Sequence, residues 1–175
     1  MSDWPAHPAL GAHNFNLSFY SENGPGPHMT ATAQGGGAWP VANKAFFIPV
    51  RLPVPATVFQ LICGTGTGTT GNFDVGIYDA GGNRLVSSGS TAKTTASSER
   101  IINVTDTVLG PGLYYLAMST DGVTNYLRQS VATLGLAKLM GVYEMTTAFA
   151  LPATATFATL VTGYIPALSA VLRPD

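Results

Sequence analysis

The stretch that decides the fold reads Asn72-Phe-Asp-Val-Gly-Ile-Tyr-Asp79, then Ala-Gly-Gly-Asn83, then Arg84-Leu-Val-Ser-Ser88. Phe73, Val75 and Ile77 occupy every second position of its first part. This period of two predicts a β-strand that places one apolar face on the core. The glycine pair and its neighbours tolerate positive φ, which is typical of a tight turn. The stretch therefore predicts a β-hairpin.

On both sides of this hairpin the sequence consists of short β-branched and aromatic runs separated by Gly and Pro. These runs predict strands over 45–52, 56–63, 101–104, 113–118, 149–151, 155–161 and 167–172. Residues 131–145 fit neither the helical nor the strand period, and we expect a short helix or an irregular loop there. Short strands at intervals of roughly ten residues predict an all-β chain with a single jelly-roll-like β-sandwich.

Two regions are predicted along the chain. Residues 1–43 are rich in Gly and Pro and predict an extended N-terminal arm, which leaves residues 44–175 for the sandwich. The arm contains apolar anchors that disordered tails lack, so we expect it to pack on its own domain or on a neighbouring chain. Its candidate interface residues are Trp4, Phe15, Phe19, Tyr20 and Trp39.

Charge is scarce in this sequence. Only 10% of the residues are Asp, Glu, Lys or Arg, against about 25% in an average protein, while 46% are hydrophobic and the net charge is -1. Since free monomers usually stay soluble by displaying mixed charge, this composition predicts a surface partly covered by other protein chains. The alternative is that Thr, Ser, Asn and Gly supply enough polarity without charge. The eight cationic residues are scattered, which speaks against a nucleic-acid partner.

Neither a membrane span nor secretion is predicted. Residues 145–172 carry no charge, but Pro152, Gly163 and Pro166 interrupt them, which disfavours a transmembrane helix. The N-terminus lacks the basic start and apolar stretch of a secretory signal, so we expect synthesis in the cytoplasm. Cys63 lies in an apolar run, where burial is expected rather than reactivity.

No residue pattern predicts catalysis, a metal or a cofactor. Residues 66–71 match G-x-G-x-x-G, but a strand is expected at Asn72 where a nucleotide site needs a helix. The three histidines all fall in the arm and lack ligand spacing. Asp74, Asp79 and Asp121 are expected in turns and at the surface rather than on calcium. A glycosidase pair of carboxylates stays open, because sequence does not place carboxylates in space.

Three segments resemble small accessory virion proteins of tailed bacteriophages. They are residues 38–55, residues 71–85 and Leu109-Gly-Pro-Gly-Leu-Tyr-Tyr-Leu116, so that the likeness covers about residues 38–120. The resemblance implies a jelly-roll or related sandwich that decorates or cements a capsid, neck or tail through protein contacts. It also implies a virion location and a homo-oligomer, with a trimer favoured, and it brings no catalytic residues.

An alternative comes from the pattern G-x-Y-D-x-x-G-x-x-L over residues 76–85, followed by L-x-P-G-x-Y-Y over residues 109–115, which also resembles carbohydrate-binding sandwiches. The chain would then be a fibre head that binds a host glycan or receptor. Exposed aromatic rings are the usual means of stacking on sugars. The candidate residues for such a platform are Tyr114 and Tyr126.

Overall fold

A computed structural model of the chain describes residues 34–129 and 134–174. These residues form β-strands and one short helix. The elements are β1 (Gln34–Ala38), β2 (Ala45–Leu52), β3 (Ala56–Gly64), β4 (Asn72–Asp79), β5 (Arg84–Ser87), β6 (Thr91–Ala92), β7 (Glu99–Leu109), β8 (Gly112–Thr120), β9 (Asn125–Gln129), α1 (Leu134–Leu139), β10 (Tyr143–Met145), β11 (Ala158–Thr159) and β12 (Leu168–Pro174). The all-β prediction is confirmed.

The strands pair antiparallel in three sheets. The large sheet has the order β11-β10-β2-β8-β4-β5, and β6 also pairs with β4. The small sheet has the order β12-β3-β7, and β1 pairs with β9 in a two-stranded sheet. The hairpin predicted from residues 72–88 is present as β4 and β5.

The main core lies where the large and small sheets contribute side chains to one apolar cluster. The large sheet supplies every second residue of β2, which are Phe46, Ile48, Val50 and Leu52, and the alternating residues Phe73, Val75 and Ile77 of β4. The small sheet supplies residues such as Leu61 of β3 and Leu172 of β12. Each buried side chain of this size stabilises the fold by about 1.5–3 kcal/mol.

A second, smaller core covers the opposite face of the large sheet. Phe47, Tyr78 and Tyr115 project there from β2, β4 and β8, and the irregular segment 146–160 packs over them with Leu151. Residues 73–78 are consequently all buried. The expectation that β4 buries one face only is therefore corrected, because β4 lies inside a sheet that is covered on both sides.

The predicted strand bounds agree best with the structure where turn residues mark the ends of the strand. The prediction over 45–52 matches β2, the prediction over 72–79 matches β4, and residues 131–145 contain the short helix α1. The strand predicted over 149–151 is wrong, and only Ala158–Thr159 of the predicted 155–161 is a strand. The physical reason is visible at Leu151, whose backbone N–H donates to a carboxylate of Asp74 rather than to a neighbouring strand.

Some residues of the predicted arm belong to the described strands. The glycine run 35–37, which is predicted to be part of the extended arm, belongs to β1, and its residues pair with β9, for example Gly36 with Leu127. Trp39 follows β1 into the main core. Residues 34–43, which the prediction assigns to the arm, therefore pair and pack with the rest of the described residues.

Candidate functional site

Trp39, a predicted interface residue, is only 1% exposed. Its ring makes edge-on contacts with Phe46, Tyr126 and Tyr164 at centroid distances of 5.2, 5.7 and 5.1 Å. Its Nε1 donates to the backbone oxygen of Lys44 at 3.0 Å. Trp39 therefore anchors the chain inside the core, which corrects its expected role at an outer interface. The other candidate interface residues, Trp4, Phe15, Phe19 and Tyr20, lie outside the described residues.

The two tyrosines predicted as a sugar platform differ in their exposure. Tyr126 is fully buried beside Trp39 and Phe73, and burial raises its pKa to about 12. Tyr114 is half-buried against the main core, and its hydroxyl donates to the backbone oxygen of Gly110 at 2.8 Å. Tyr126 is therefore removed from the predicted platform by its burial, whereas Tyr114 is partly exposed and its role in a platform stays a prediction.

Asp74 is a fully buried carboxylate that links the hairpin to the segment covering it. It accepts hydrogen bonds from the hydroxyls of Ser87 and Ser88 at 2.8 and 3.2 Å. It also accepts the backbone N–H of Leu151 at 3.0 Å. The expected turn or surface role of Asp74 is therefore corrected to a structural role inside the protein.

Asp79 and Asp121 have the turn roles expected of them. Asp79 accepts the backbone N–H and the side-chain amide of Asn83 at 2.8 and 2.9 Å, and these hydrogen bonds lower the pKa of Asp79. Asp121 accepts the corresponding two groups of Asn72 at 2.8 and 2.6 Å. Among the residues that the structure describes, no three His, Cys, Asp or Glu side chains are grouped as metal binding requires.

Lys44 and Glu144 form a buried ion pair with 2.7 Å between Nζ and Oε1. Glu144 Oε2 also accepts the backbone N–H of Val161 and the hydroxyl of Thr162, both at 3.1 Å. Burial alone would raise the pKa of Glu144, but these hydrogen bonds and the charge of Lys44 together lower it. The carboxylate thus joins β10 to the chain after β11 and acts as a structural group.

Residues 66–71, the G-x-G-x-x-G match, lead directly into β4, as predicted. Lys93, itself buried, donates from Nζ to the backbone oxygen of Thr67 at 3.2 Å and lies 4.5 Å from the ring centroid of Tyr126. Burial lowers the pKa of Lys93 and raises that of Cys63 to about 12. The predicted burial of Cys63 is confirmed.

The exposed residues of segment 146–161 are all uncharged, and we call them together the neutral surface. They are Thr146, Thr147, Ala150, Ala153, Thr154, Thr156, Ala158, Thr159 and Val161. Val161 is the most apolar of them and is 65% exposed. The guanidinium of Arg84 donates to the backbone oxygen of Leu151 in the same segment. Sequence reasoning found the charge-free stretch but not which of its residues face solvent.

Three aromatic rings meet at the rim of the smaller core, next to this neutral surface. Tyr143 and Phe157 are partly exposed and stack with 5.6 Å between centroids and 24° between planes. Tyr115 tilts against Phe157 at 4.5 Å, and burial together with the nearby Tyr143 raises its pKa. The sequence gives no periodic signal for this cluster, because Tyr143 and Phe157 come from short, irregular segments.

Strand β7 contributes a further exposed apolar feature. It pairs with β3 on one side, and none of the strands in 34–129 and 134–174 pairs with its other side. Ile101 and Val108, both on β7, are 59% and 65% exposed. The strand is longer than the predicted 101–104.

Comparisons with protein-family models, with curated proteins and with solved structures gave no match. In the described part of the chain, no helix combines the length and apolarity needed to cross a bilayer.

Proposed function

We propose that this chain is a non-enzymatic structural protein of a tailed-bacteriophage virion. In this proposal a jelly-roll-like sandwich decorates or cements the capsid, neck or tail by packing against other protein subunits. The observation that carries the proposal is the neutral surface on segment 146–161. Its exposed residues would be desolvated on contact with another protein without the cost of burying an ion.

The positions of the three segments that resemble accessory virion proteins support the same proposal. Residues 38–55 contain β2, residues 71–85 contain β4 and the start of β5, and residues 109–116 lead into β8. These strands are neighbours in the large sheet, in the order β2-β8-β4-β5. The resemblance thus falls on one continuous part of the fold, and the segment that carries the neutral surface covers the outer face of that sheet. Trp4, Phe15, Phe19 and Tyr20 remain proposed interface residues of the arm.

A reconstitution experiment tests the neutral surface. Recombinant chain is added to virions of the encoding phage from which its gene has been deleted, and bound copies per particle are quantified. We expect the wild-type chain to bind at fixed occupancy and Val161→Lys to bind at least about tenfold more weakly, because a lysine would be desolvated in the contact. Val123→Lys, at a similarly exposed valine outside this surface, is the matched control and should bind as the wild type does.

Failure of the wild-type chain to bind these particles would contradict the proposed function. Equal binding by the Val161→Lys and wild-type chains would remove the neutral surface from the interface.

A second candidate function, a fibre head that binds glycans, is favoured by the cluster of Tyr115, Tyr143 and Phe157. Stacked, partly exposed rings are suited to the apolar face of a sugar. If the chain binds glycans, Tyr143→Ala should abolish the signal on a glycan array, whereas Tyr114→Phe should keep it. An array on which the wild-type chain binds no glycan would eliminate this candidate.

A further inference from the structure

Strand β7 presents an unusually open edge. It has eleven residues and pairs with β3 alone among the strands of the described ranges. The end strands of the large sheet are much shorter, with two residues in β11 and four in β5. A free edge is a row of unpaired N–H and C=O groups, which is a template for a further strand.

The side chains of β7 do little to protect this edge. Proteins usually block a long edge with charged side chains, lysine above all, or with proline. β7 contains no lysine or proline, and two of its three charged residues have partners within the chain: Asp106 pairs with Arg173, and Arg100 donates to Thr94 and Thr95.

Strand β7 instead exposes Ile101 and Val108, which lie near its two ends. Both are on the outer face, whereas Ile102 and Val104 pack against the core. Each end of the edge therefore has one apolar residue that is exposed to solvent.

The edge is complementary to itself when two copies run antiparallel. The pairing of β7 with β3 is irregular between Asn103 and Thr107, where residues 104–106 of β7 lie opposite Phe59 alone, and Ile101 and Val108 are exposed on the same outer face. With a two-fold axis between Val104 and Thr105, Ile101 of each copy then lies opposite Val108 of the other. Apolar pairs directly opposite each other are favourable contacts between antiparallel strands.

The charges of the edge are compatible with this register. Glu99 would lie opposite Gly110 of the second copy, Arg100 opposite Leu109, and Asp106 opposite Asn103. No like charges face each other, which would otherwise oppose the pairing. An identical strand in this register thus places apolar residues opposite apolar residues and no charge opposite a like charge.

We infer that β7 pairs antiparallel with β7 of a second copy of this chain, across a two-fold axis between Val104 and Thr105. The inference rests on the proposed function, because it identifies a second copy of the chain as one of the partners that an assembly subunit would have. Such a contact is isologous, since the same surface is used by both copies. It joins the two small sheets into one continuous six-stranded sheet, and it requires an even number of copies rather than a trimer.

The mass of the full-length chain in solution tests the inference. Native mass spectrometry and light scattering at micromolar concentration should give the wild-type chain twice the 18.2 kDa mass of one copy. Ile101→Lys and Val108→Glu should each weaken the dimer at least about tenfold, because each places a charge opposite an apolar residue. Val123→Lys is the matched control and should remain dimeric. Circular dichroism melting verifies that every variant is folded.

A mixing experiment tests the register itself. Chains with Ile101→Lys and chains with Val108→Glu should form a mixed dimer, because the two new charges face each other while the second apolar pair stays intact. A mixture of Ile101→Lys with Ile101→Glu should stay monomeric, because its charges never meet. A monomeric or trimeric wild-type chain, or equal association in the two mixtures, would overturn the inference. A monomer that still binds particles would leave the proposed function standing.

Discussion

At the scale of single residues, the described part of the chain contains two ion pairs in very different surroundings. The side chains of Lys44 and Glu144 are 5% and 6% exposed, whereas those of Arg173 and Asp106 are 54% and 53% exposed. Removing one partner of a buried pair leaves a charge without compensation, whereas solvent screens an exposed pair. The two pairs should therefore differ strongly in their effect on stability.

Glu144→Gln keeps the size of the side chain but leaves Lys44 buried without a counter-charge. We expect the free energy of unfolding to fall by about 3 kcal/mol, measured by urea denaturation at pH 7. Asp106→Asn breaks the exposed pair and should lower it by less than about 1 kcal/mol. Equal losses in the two variants would contradict the structural role given to the buried pair.

The pH dependence of the same pair has a definite sign. The pKa of Glu144 is lowered from its ordinary value of 4.5, so folding favours the carboxylate form. Its contribution to stability is therefore fully present above pH 4.5 and is lost as the pH falls through the folded-state pKa. The stability difference between the wild type and Glu144→Gln should shrink between pH 5 and pH 3, measured by urea denaturation. A difference that stays constant over this range would contradict the assignment.

Cys63 gives a second test at the residue scale. Because burial raises the pKa of its thiol to about 12, almost no thiolate is present at pH 8 in the folded protein. We expect no reaction with a thiol-specific disulfide reagent at pH 8, and reaction of one thiol per chain after unfolding in urea. Rapid reaction of the folded protein would show that Cys63 is accessible.

At the scale of elements, the contact between β4 and β5 leaves no room beside Gly76. A Cβ atom at this position would lie 2.6 Å from the backbone oxygen of Val86 and 3.0 Å from Leu151. The glycine thus allows the hairpin and segment 146–160 to approach each other on the covered face of the large sheet. This is a requirement of packing rather than of backbone conformation, since the φ of Gly76 is not positive.

Gly76→Ala should therefore destabilise the protein by about 1–3 kcal/mol, as overpacking does in other cores. Gly122→Ala is the matched control, because a Cβ atom there would meet no other side chain or backbone atom within 4 Å and the φ of Gly122 is also not positive. Thermal unfolding should show a lower midpoint for Gly76→Ala and almost no change for Gly122→Ala. Equal midpoints would mean that the close contact is relieved without cost.

The strands that can be predicted from the sequence are those with a clear period and marked ends. β2 and β4 have both, and their predicted bounds agree with the structure to the residue. The prediction for β7 is too short, because Thr105, Asp106 and Thr107 interrupt the apolar pattern on an exposed edge. The pattern does not reveal β1, because a run of glycines has no side-chain period.

The candidate site is less predictable than the fold. The charge-free stretch 145–172 is visible in the sequence, but its exposed residues follow no period, since segment 146–160 is irregular. From the sequence, Trp39 and Tyr126 are predicted at surfaces although both are core residues. The residue type alone does not distinguish an aromatic side chain in the core from one at an interface. Tyr143 and Phe157 meet only through the tertiary fold, so sequence reasoning could not pair them.

At the scale of the whole molecule, some of the few charged side chains are buried, and one of the exposed surfaces carries no charge. One ion pair is buried, Asp74 is enclosed by hydrogen bonds, and the neutral surface carries no charge over segment 146–161. The edge of β7 adds two exposed apolar residues on the small sheet. In our proposal these two surfaces are the contacts with other protein chains, one with the particle and one with a second copy.

Quantitative mass spectrometry of purified virions of the encoding phage tests the proposed structural role most directly. The number of copies of this chain is measured relative to the major capsid protein, after particles have been separated from soluble lysate proteins. We expect a fixed copy number per particle that survives repeated purification and high salt, because the proposed contact depends on uncharged surfaces. Recovery of the chain only in the soluble lysate would contradict the proposal.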